Sequence, residues 1–333
     1  MRKPVAVLIS DTHYSLSTYK IADKAWRMAV DKAAQLRVPL IDAGDLTNDK
    51  AIIRAEVANT LIETMLYAQD KGVRVFCLVG NHSLINEKGE ENALHFLMPY
   101  CTVVSTPTTV GGFNFIPYQT STAKFLDALG KFPKGDIVIG HQGTKGGAMG
   151  DYIQDHSAFD ADSAKAYKVF LGHYHQHYTL GTTVSIGNPY TLTFGEAKDP
   201  PKGFLVLYSD GSFERVLTNL RRHRILTRSY SEIQDMLLRA EPFFGEDLSY
   251  DLIWLKVSGS KSELDKLDKV KLGLALFSHS NYKLDKIYTE SEPVADPQVK
   301  MTDSETMDWI IDQTTEGQDQ KAYLKALYRE LMA

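Results

Sequence analysis

The chain predicts an α/β fold: layered sheets flanked by helices, followed by a smaller α+β unit and a helical tail. Three observations carry this. The first half alternates apolar strands with amphipathic helices, the βαβ pattern of parallel sheets. Five of the apolar strands run at once into Gly or another small residue and then into Asp, Asn or His. From Thr102 onward the pattern changes to short strands and turns. At 333 residues the chain is long for one core and suits a large domain with something smaller attached.

The first strand, Val5 to Ser10, delivers Asp11-Thr12-His13. A helix is predicted over Ile21 to Leu36, where Ile21, Ala25, Met28, Ala29 and Lys32 with Ala33 fall at helical spacing and Val38-Pro39 ends the run. The strand from Pro39 to Ala43 leads into Gly44-Asp45-Leu46-Thr47-Asn48. A second helix, Ile52 to Gln69, aligns Val57, Leu61, Thr64 with Met65, and Ala68, and Gly72 lies just past its end. Val73 to Val79 then delivers Gly80-Asn81-His82. Gly111-Gly112 separates two short strands as a hairpin turn, and Asp136 to Ile139 leads into Gly140-His141. After a polar, glycine-rich loop that includes His156, Val169 to Leu171 reads as a buried strand, and His173 and His175 follow Gly172. Residues two apart in an extended segment point the same way, so both imidazoles can face one site. A lone histidine beside a strand is more often a satisfied core residue. Five such strand ends in one chain favour metal ligation.

A net charge of -5 provides no global basic field for nucleic acid, although a local patch or bound cations can supply the attraction. Cys77 and Cys101 lie in apolar runs and read as small core residues of a reducing compartment. No apolar run approaches the length of a membrane span, and Met1-Arg2-Lys3 leads straight into a strand, so a cytoplasmic protein is expected.

The order Asp-x-His, Gly-Asp, Gly-Asn-His, Gly-His, Gly-His-x-His resembles the calcineurin-like metallophosphoesterase superfamily. The resemblance implies a four-layer β-sandwich flanked by helices and a site for two divalent ions. Asp11, His13 and His175 would hold the first ion and Asn81, His141 and His173 the second, with Asp45 bridging. Imidazole and oxygen ligands together suit manganese, iron or zinc, with magnesium a further option. His82 matches the family histidine that contacts the scissile phosphate and is the candidate leaving-group acid or transition-state stabiliser.

Within the superfamily, Ser185 to Tyr208 resembles the corresponding segment of SbcD/Mre-type nucleases, which pair with a coiled-coil ABC-type ATPase in DNA double-strand-break repair. Gly187 to Tyr190, Glu196 and Lys202-Gly203-Phe204 carry that likeness. The short C-terminal part is similar to the bacteriophage form, which would act in host cytoplasm. Two positions depart from the pattern. Asn48 stands where many of these enzymes carry a substrate-facing histidine, and Ser83 where Asp usually follows His82, removing one orienting partner. Asn48 can still donate a hydrogen bond to phosphate but cannot transfer a proton.

The resemblance divides the chain into a nuclease domain at 1–218, a capping domain at 219–290 that positions DNA, a linker at 291–301 and a partner-binding tail at 302–333. Arg221, Arg222 and Arg224 are candidate DNA contacts; a solvated edge strand also explains such a run. A strand at Leu252 to Val257, a helix at Ser262 to Leu274 and a strand at Lys283 to Thr289 are expected, then Pro293 and Pro297 in the linker and a capping box at Thr302 to Glu305. Leu324, Leu327, Tyr328 and Leu331 line one face of a last helix, either packed on its own domain or seated in a groove of the ATPase. Family homodimers form through nuclease-domain helices, here near Ala51 to Gln69 and Glu91 to Tyr100. The leading expectation is a two-metal DNA exonuclease and endonuclease. The alternatives are a small-molecule phosphodiesterase or phosphatase, a metal-poor scaffold, and a non-catalytic adaptor for the ATPase.

Overall fold

A computed structural model describes residues 2–50, 52–86, 91–147, 157–239, 251–277, 282–289, 311 and 318–331. In chain order, β1 (Pro4–Ile9), α1 (Tyr19–Leu36), β2 (Leu40–Asp42), α2 (Ala55–Asp70), β3 (Val75–Leu78) and β4 (Thr102–Val104) build the first half. The hairpin β5 (Thr108–Val110) and β6 (Phe113–Ile116), α3 (Thr122–Leu129), β7 (Ile137–His141), β8 (Lys168–Gly172), β9 (Tyr178–Leu180) and β10 (Thr183–Ser185) follow. The strands β11 (Gly203–Tyr208) and β12 (Phe213–Leu217) return to the first sheet.

One six-stranded sheet has the order β12-β11-β1-β2-β3-β4 and the other β5-β6-β7-β8-β10-β9. In the first, β1 to β4 run parallel; in the second, β6, β7, β8 and β10 do. Alternation along each strand sorts side chains between layers. From β1, Ala6 and Leu8 enter the core between the sheets, with Ile41, Phe76, Phe115, Ile139 and Phe170. Val7 and Ile9 face the opposite way, against Ala25, Trp26, Ala29 and Val30 of α1 and Leu61 and Met65 of α2. Outside the second sheet, Val138, Val169 and Leu171 pack on Phe125 and Leu129 of α3. The result is the expected four layers, helix, sheet, sheet, helix. The apolar stripe of α2 is core, since Val57, Leu61, Thr64, Met65 and Ala68 are all buried. A helix over Glu91 to Tyr100 does not form; among the described residues there is only a short 3-10 turn, His95–Leu97.

A separate three-stranded parallel sheet, β13 (His223–Ser229), β14 (Leu252–Gly259) and β15 (Lys283–Tyr288), carries α4 (Tyr230–Arg239), α5 (Lys261–Leu264) and α6 (Lys269–Phe277). The single helix expected between β14 and β15 is two. Ser260 and Glu263 form a capping box that starts α5, and the Asp268 carboxylate accepts from the N–H groups of Val270 and Lys271, starting α6 afresh. The helix α7 (Gln318–Leu331) ends the description. His156, the Pro293 and Pro297 linker and the Thr302 capping box lie outside the described residues.

The β13–β15 unit has an apolar cluster of its own, with Leu226, Ile233, Ile253, Leu255, Val257, Leu264 and Phe277 buried together. Leu255→Ala should therefore lower stability by about 2–5 kcal/mol, measured by urea denaturation, without changing divalent-metal binding at the strand ends of the two large sheets.

Candidate active site

The parallel strands of both sheets point their C-terminal ends at one crevice, the usual position for a site in open α/β sheets. Asp11 and His13 follow β1, Asp45 follows β2, Asn81 and His82 follow β3, His141 ends β7, and His173 and His175 follow β8. The turns are held by backbone bonds across the crevice: Asp11 N–H donates to Gly44 C=O and His13 N–H to Asp45 C=O, both at 3.0 Å. The geometry demands unusual backbone. Asp11, His13, Asp45 and His173 have φ of 53°, 45°, 53° and 108°. Each such residue costs on the order of 1–3 kcal/mol and persists only where its surroundings over-determine it. Glycines make the approach possible. A Cβ on Gly44 would collide with the His141 ring, and one on Gly80 with the carboxylate and backbone of Asp45.

All seven expected ligands come together. Asp11, His13 and His175 present ligand atoms within 4.8 Å of one another, and so do Asp45, His141 and His173. Asn81 Oδ1 lies 3.0 Å from His141 Nε2 and 2.9 Å from His173 Nδ1. The Asp45 carboxylate lies between the groups, 3.3 Å from His141 Nε2 and 3.9 Å from His13 Nε2, and its other oxygen accepts the His82 N–H at 2.8 Å. The Asp11 carboxylate accepts from the His173 N–H and the Ser10 hydroxyl.

These groups suit divalent cations. His13 Nε2 and His175 Nε2 lie 3.2 Å apart, within reach of an N–H of one donating to the other or of a cation that takes both. The remote nitrogens are already committed. His141 Nδ1–H donates to Ala43 C=O at 2.8 Å and His175 Nδ1–H to Glu196 Oε1 at 2.9 Å, so Nε2 of each is left as the donor to a metal. Electrostatics agree. Burial lowers His13 to about 4, favouring the neutral ligand form. Burial pushes Asp45 up, but His141, His13 and His82 outweigh it and hold the carboxyl well below its usual range. Burial pulls His141 down, and Asp45 beside it outweighs this, raising it to about 9. Without cations, Asp45 and His141 thus form an ion pair that a metal would replace.

His82 and Asn48 sit at the mouth, in an open groove of about 330 Å³ that also includes Ser15, Ser17, Thr18 and Thr193. Ser83 is fully buried and its hydroxyl has no hydrogen-bond partner among the described residues, so it does not orient His82. The Asn48 backbone carbonyl does, accepting from His82 Nδ1 at 2.9 Å and leaving Nε2 unbound by that contact. Residue 48 thus supplies through its main chain the orienting partner that the sequence had lost at position 83. The Asn48 amide meanwhile bonds Asp49.

Sequence reasoning matched Glu196 to a pattern without giving it a role. Its carboxylate binds His175 Nδ1 through one oxygen, and Asn188 Nδ2 and Lys202 Nζ through the other at 3.0 and 3.1 Å. Lys202 also reaches Asp199 at 2.7 Å and the His175 carbonyl at 2.9 Å. Burial pushes Glu196 up, and its bonds to His175 and Lys202 outweigh this and hold it down at about 2. Lys202 is buried between Glu196 and Asp199, a placement that only the fold reveals. Of the three arginines, Arg222 donates to Asp199 C=O at 2.6 Å and Arg224 to the Asp251 carboxylate at 2.9 Å, beside Lys202 rather than in the groove. Arg221 lines a different cavity. His177 bonds Ser185 C=O at 2.7 Å and does not line the groove.

No family model matches the chain. It is 26% identical over 265 residues to exonuclease subunit 1 of Enterobacteria phage T4, covering 76% of this chain and 73% of that one. Among solved structures, a dimetal phosphatase from Danio rerio is 13% identical, covers 65% of this chain and 97% of its own, and superposes with a TM-score of 0.38. Pseudomonas putida nuclease MPE is 12% identical over 63% and 87% of the two chains, with a TM-score of 0.31. The similarity to a phage exonuclease subunit agrees with the resemblance drawn from the motif order, and the four-layer arrangement expected there is the one the two sheets and their helices form.

Glu196→Gln keeps the shape but removes the charge that fixes the His175 tautomer. It should weaken divalent-metal binding by about 10–100-fold, read by calorimetric titration of chelator-stripped protein, with little change in the denaturation midpoint.

Proposed function

We propose that this chain, a metallophosphoesterase in its fold and in the order of its ligands, is a two-metal DNA nuclease and the subunit of a larger complex. The observation that carries the reading is the convergence of Asp11, His13, Asp45, Asn81, His141, His173 and His175 from five strand ends at an open groove. The similarity to a phage exonuclease subunit supports DNA as substrate and a protein partner.

Two divalent ions held there would supply an activated water and a clamp on the phosphoryl oxygens of an in-line displacement. Asp11, His13 and His175 hold one and Asn81, His141 and His173 the other, with Asp45 between them. The mixed imidazole and oxygen set favours manganese, with iron, zinc or magnesium as substitutes. Glu196 and the Ala43 carbonyl keep His175 and His141 aimed by their remote nitrogens. His82, held by the Asn48 carbonyl through Nδ1–H, presents Nε2 to the leaving-group oxygen; as the imidazolium, protonated on both nitrogens, it donates the Nε2 proton to that oxygen and is left neutral. Asn48 contributes placement rather than a proton.

A coiled-coil ABC-type ATPase is the partner the resemblance implies, with α7 as the docking helix. On α7, Leu327 is 37% and Tyr323 66% exposed, while Leu324 and Tyr328 are half-buried. Partly exposed apolar residues on a terminal helix suit a helix-in-groove contact. In the sequence, Leu331 continues the same spacing. Homodimerisation belongs to the same reading, through the outer face of α2, where Leu66 is exposed.

The central test incubates purified protein with manganese and either duplex DNA or bis(p-nitrophenyl) phosphate. Asp45→Ala should abolish cleavage of both and reduce bound metal, whereas His82→Ser should lose about 10²–10⁴-fold in rate while still binding two ions. Loss of metal in the His82 variant would make that residue a ligand instead. Hydrolysis of the small diester without any cutting of DNA would make the protein a free-standing phosphodiesterase.

For the tail, the double variant Leu324→Asp, Leu327→Asp should leave small-diester hydrolysis unchanged and abolish co-purification with the ATPase partner. Retained co-purification would place the contact elsewhere.

A further inference from the structure

A second cavity, of about 670 Å³, adjoins the metal groove and shares Ser17 with it. Its walls come from two distant parts of the chain: Leu16, Ser17, Tyr19, Lys20 and Lys24 at the start of α1, and Arg221 in the segment joining β12 to β13. Three of these residues are cationic, and among the described residues no acidic side chain lines the cavity. Lys20 and Lys24 are exposed and four apart on α1, so they lie on the same side of the helix. Among the described residues none of the three has an ion pair, whereas nearby Asp23 is taken by Arg27 at 2.8 Å and by Thr64. The Arg221 Nε is buried without a hydrogen-bond partner among the described residues. Arg222 and Arg224, by contrast, are engaged with Asp199 and Asp251.

We infer that this trough carries the sugar-phosphate backbone of the DNA strand whose scissile phosphate lies in the metal groove, with Lys20, Lys24 and Arg221 as its phosphate contacts. The inference rests on the nuclease reading and deepens it. In a protein of net charge -5, three cations without an ion pair among the described residues, around a trough that no described acidic side chain lines, form a local positive field next to the groove. A small diester fills only the groove and never reaches them. The connection through Ser17 makes the path continuous. Phosphate contacts of this kind position a strand without reading its sequence, as a nuclease of broad sequence range requires.

The test measures binding and cutting separately. The variants Lys20→Ala with Lys24→Ala, Arg221→Ala, the triple substitution, and the charge-preserving Lys20→Arg with Lys24→Arg are compared with wild type. Binding of fluorescein-labelled single-stranded and duplex 20-mers is followed by anisotropy in chelator over a range of salt. Hydrolysis of duplex DNA and of bis(p-nitrophenyl) phosphate is followed with manganese. Each lost phosphate contact should lower the slope of log K against log salt by about 0.7 for a single strand and 0.9 for a duplex, so the triple variant should lose about 2–3 and the arginine pair nothing. Cutting of DNA should weaken in parallel through KM, with small-diester hydrolysis unchanged. An unaltered salt slope in the lysine pair variant, whose exposed substitutions do not disturb folding, overturns the trough, as does equal loss with the small diester. Wild type that binds DNA with the expected slope but does not cut it leaves the trough standing and sinks the nuclease reading.

Discussion

The site depends on one buried carboxylate. Asp45 is 2% exposed, yet it sits between His141 and His13, takes the His82 N–H, and passes its own carbonyl to His13. A lone buried carboxylate would cost several kcal/mol or be protonated. Here imidazoles from three other strand ends offset it. This couples the two sheets. β2 can deliver Asp45 only because Gly44 and Gly80 lack side chains, and β7 can approach only because Gly44 leaves room for the His141 ring. Four of the six non-glycine residues with positive φ among the described residues are Asp11, His13, Asp45 and His173. The backbone is strained where the ligands are delivered and relaxed in the sheets behind them. The fully packed core between β1 and β8 holds that strain in place.

Much of this was legible in the sequence. The apolar run of β1 and the helical stripes of α1 and α2 announced the layers, and the repeated passage from apolar strand through glycine or another small residue to ligand announced the crevice. These signals are local, and each has a direct physical cause in periodicity or steric room. What stayed hidden depended on contacts between distant segments. The break between α5 and α6 arises because Asp268 caps a new helix, and no change in apolar spacing marks it. Glu196 and Lys202 could be matched to a pattern, but only the fold brings them behind His175. The loss of Asp after His82 looked damaging on paper. A main-chain carbonyl, which no side-chain identity reveals, takes its place.

The layout separates two tasks. Ligands emerge from the rigid ends of central strands, so their separation is set by the sheets rather than by loops, the condition for holding reacting groups to a fraction of an ångström. Groups that line the open groove, including His82, Asn48, Ser15, Ser17 and Thr193, sit on the turns around them. The network of Glu196, Asn188, Lys202 and Asp199 ties the β10–β11 connection to the back of the same histidine pair. That connection leads on to the β13–β15 unit, where Arg222 bonds Asp199, so the second unit reaches the metal crevice through one chain of hydrogen bonds.

The most direct measurement of the central claim is a crystal structure of the protein soaked in manganese, with data collected to reveal anomalous scattering. The account predicts two peaks about 3.5–4 Å apart, one against Asp11, His13 and His175, the other against Asn81, His141 and His173, both touching Asp45 and neither touching His82. A single peak, or a second one bound by His82 with Asp45 outside its coordination shell, would contradict it.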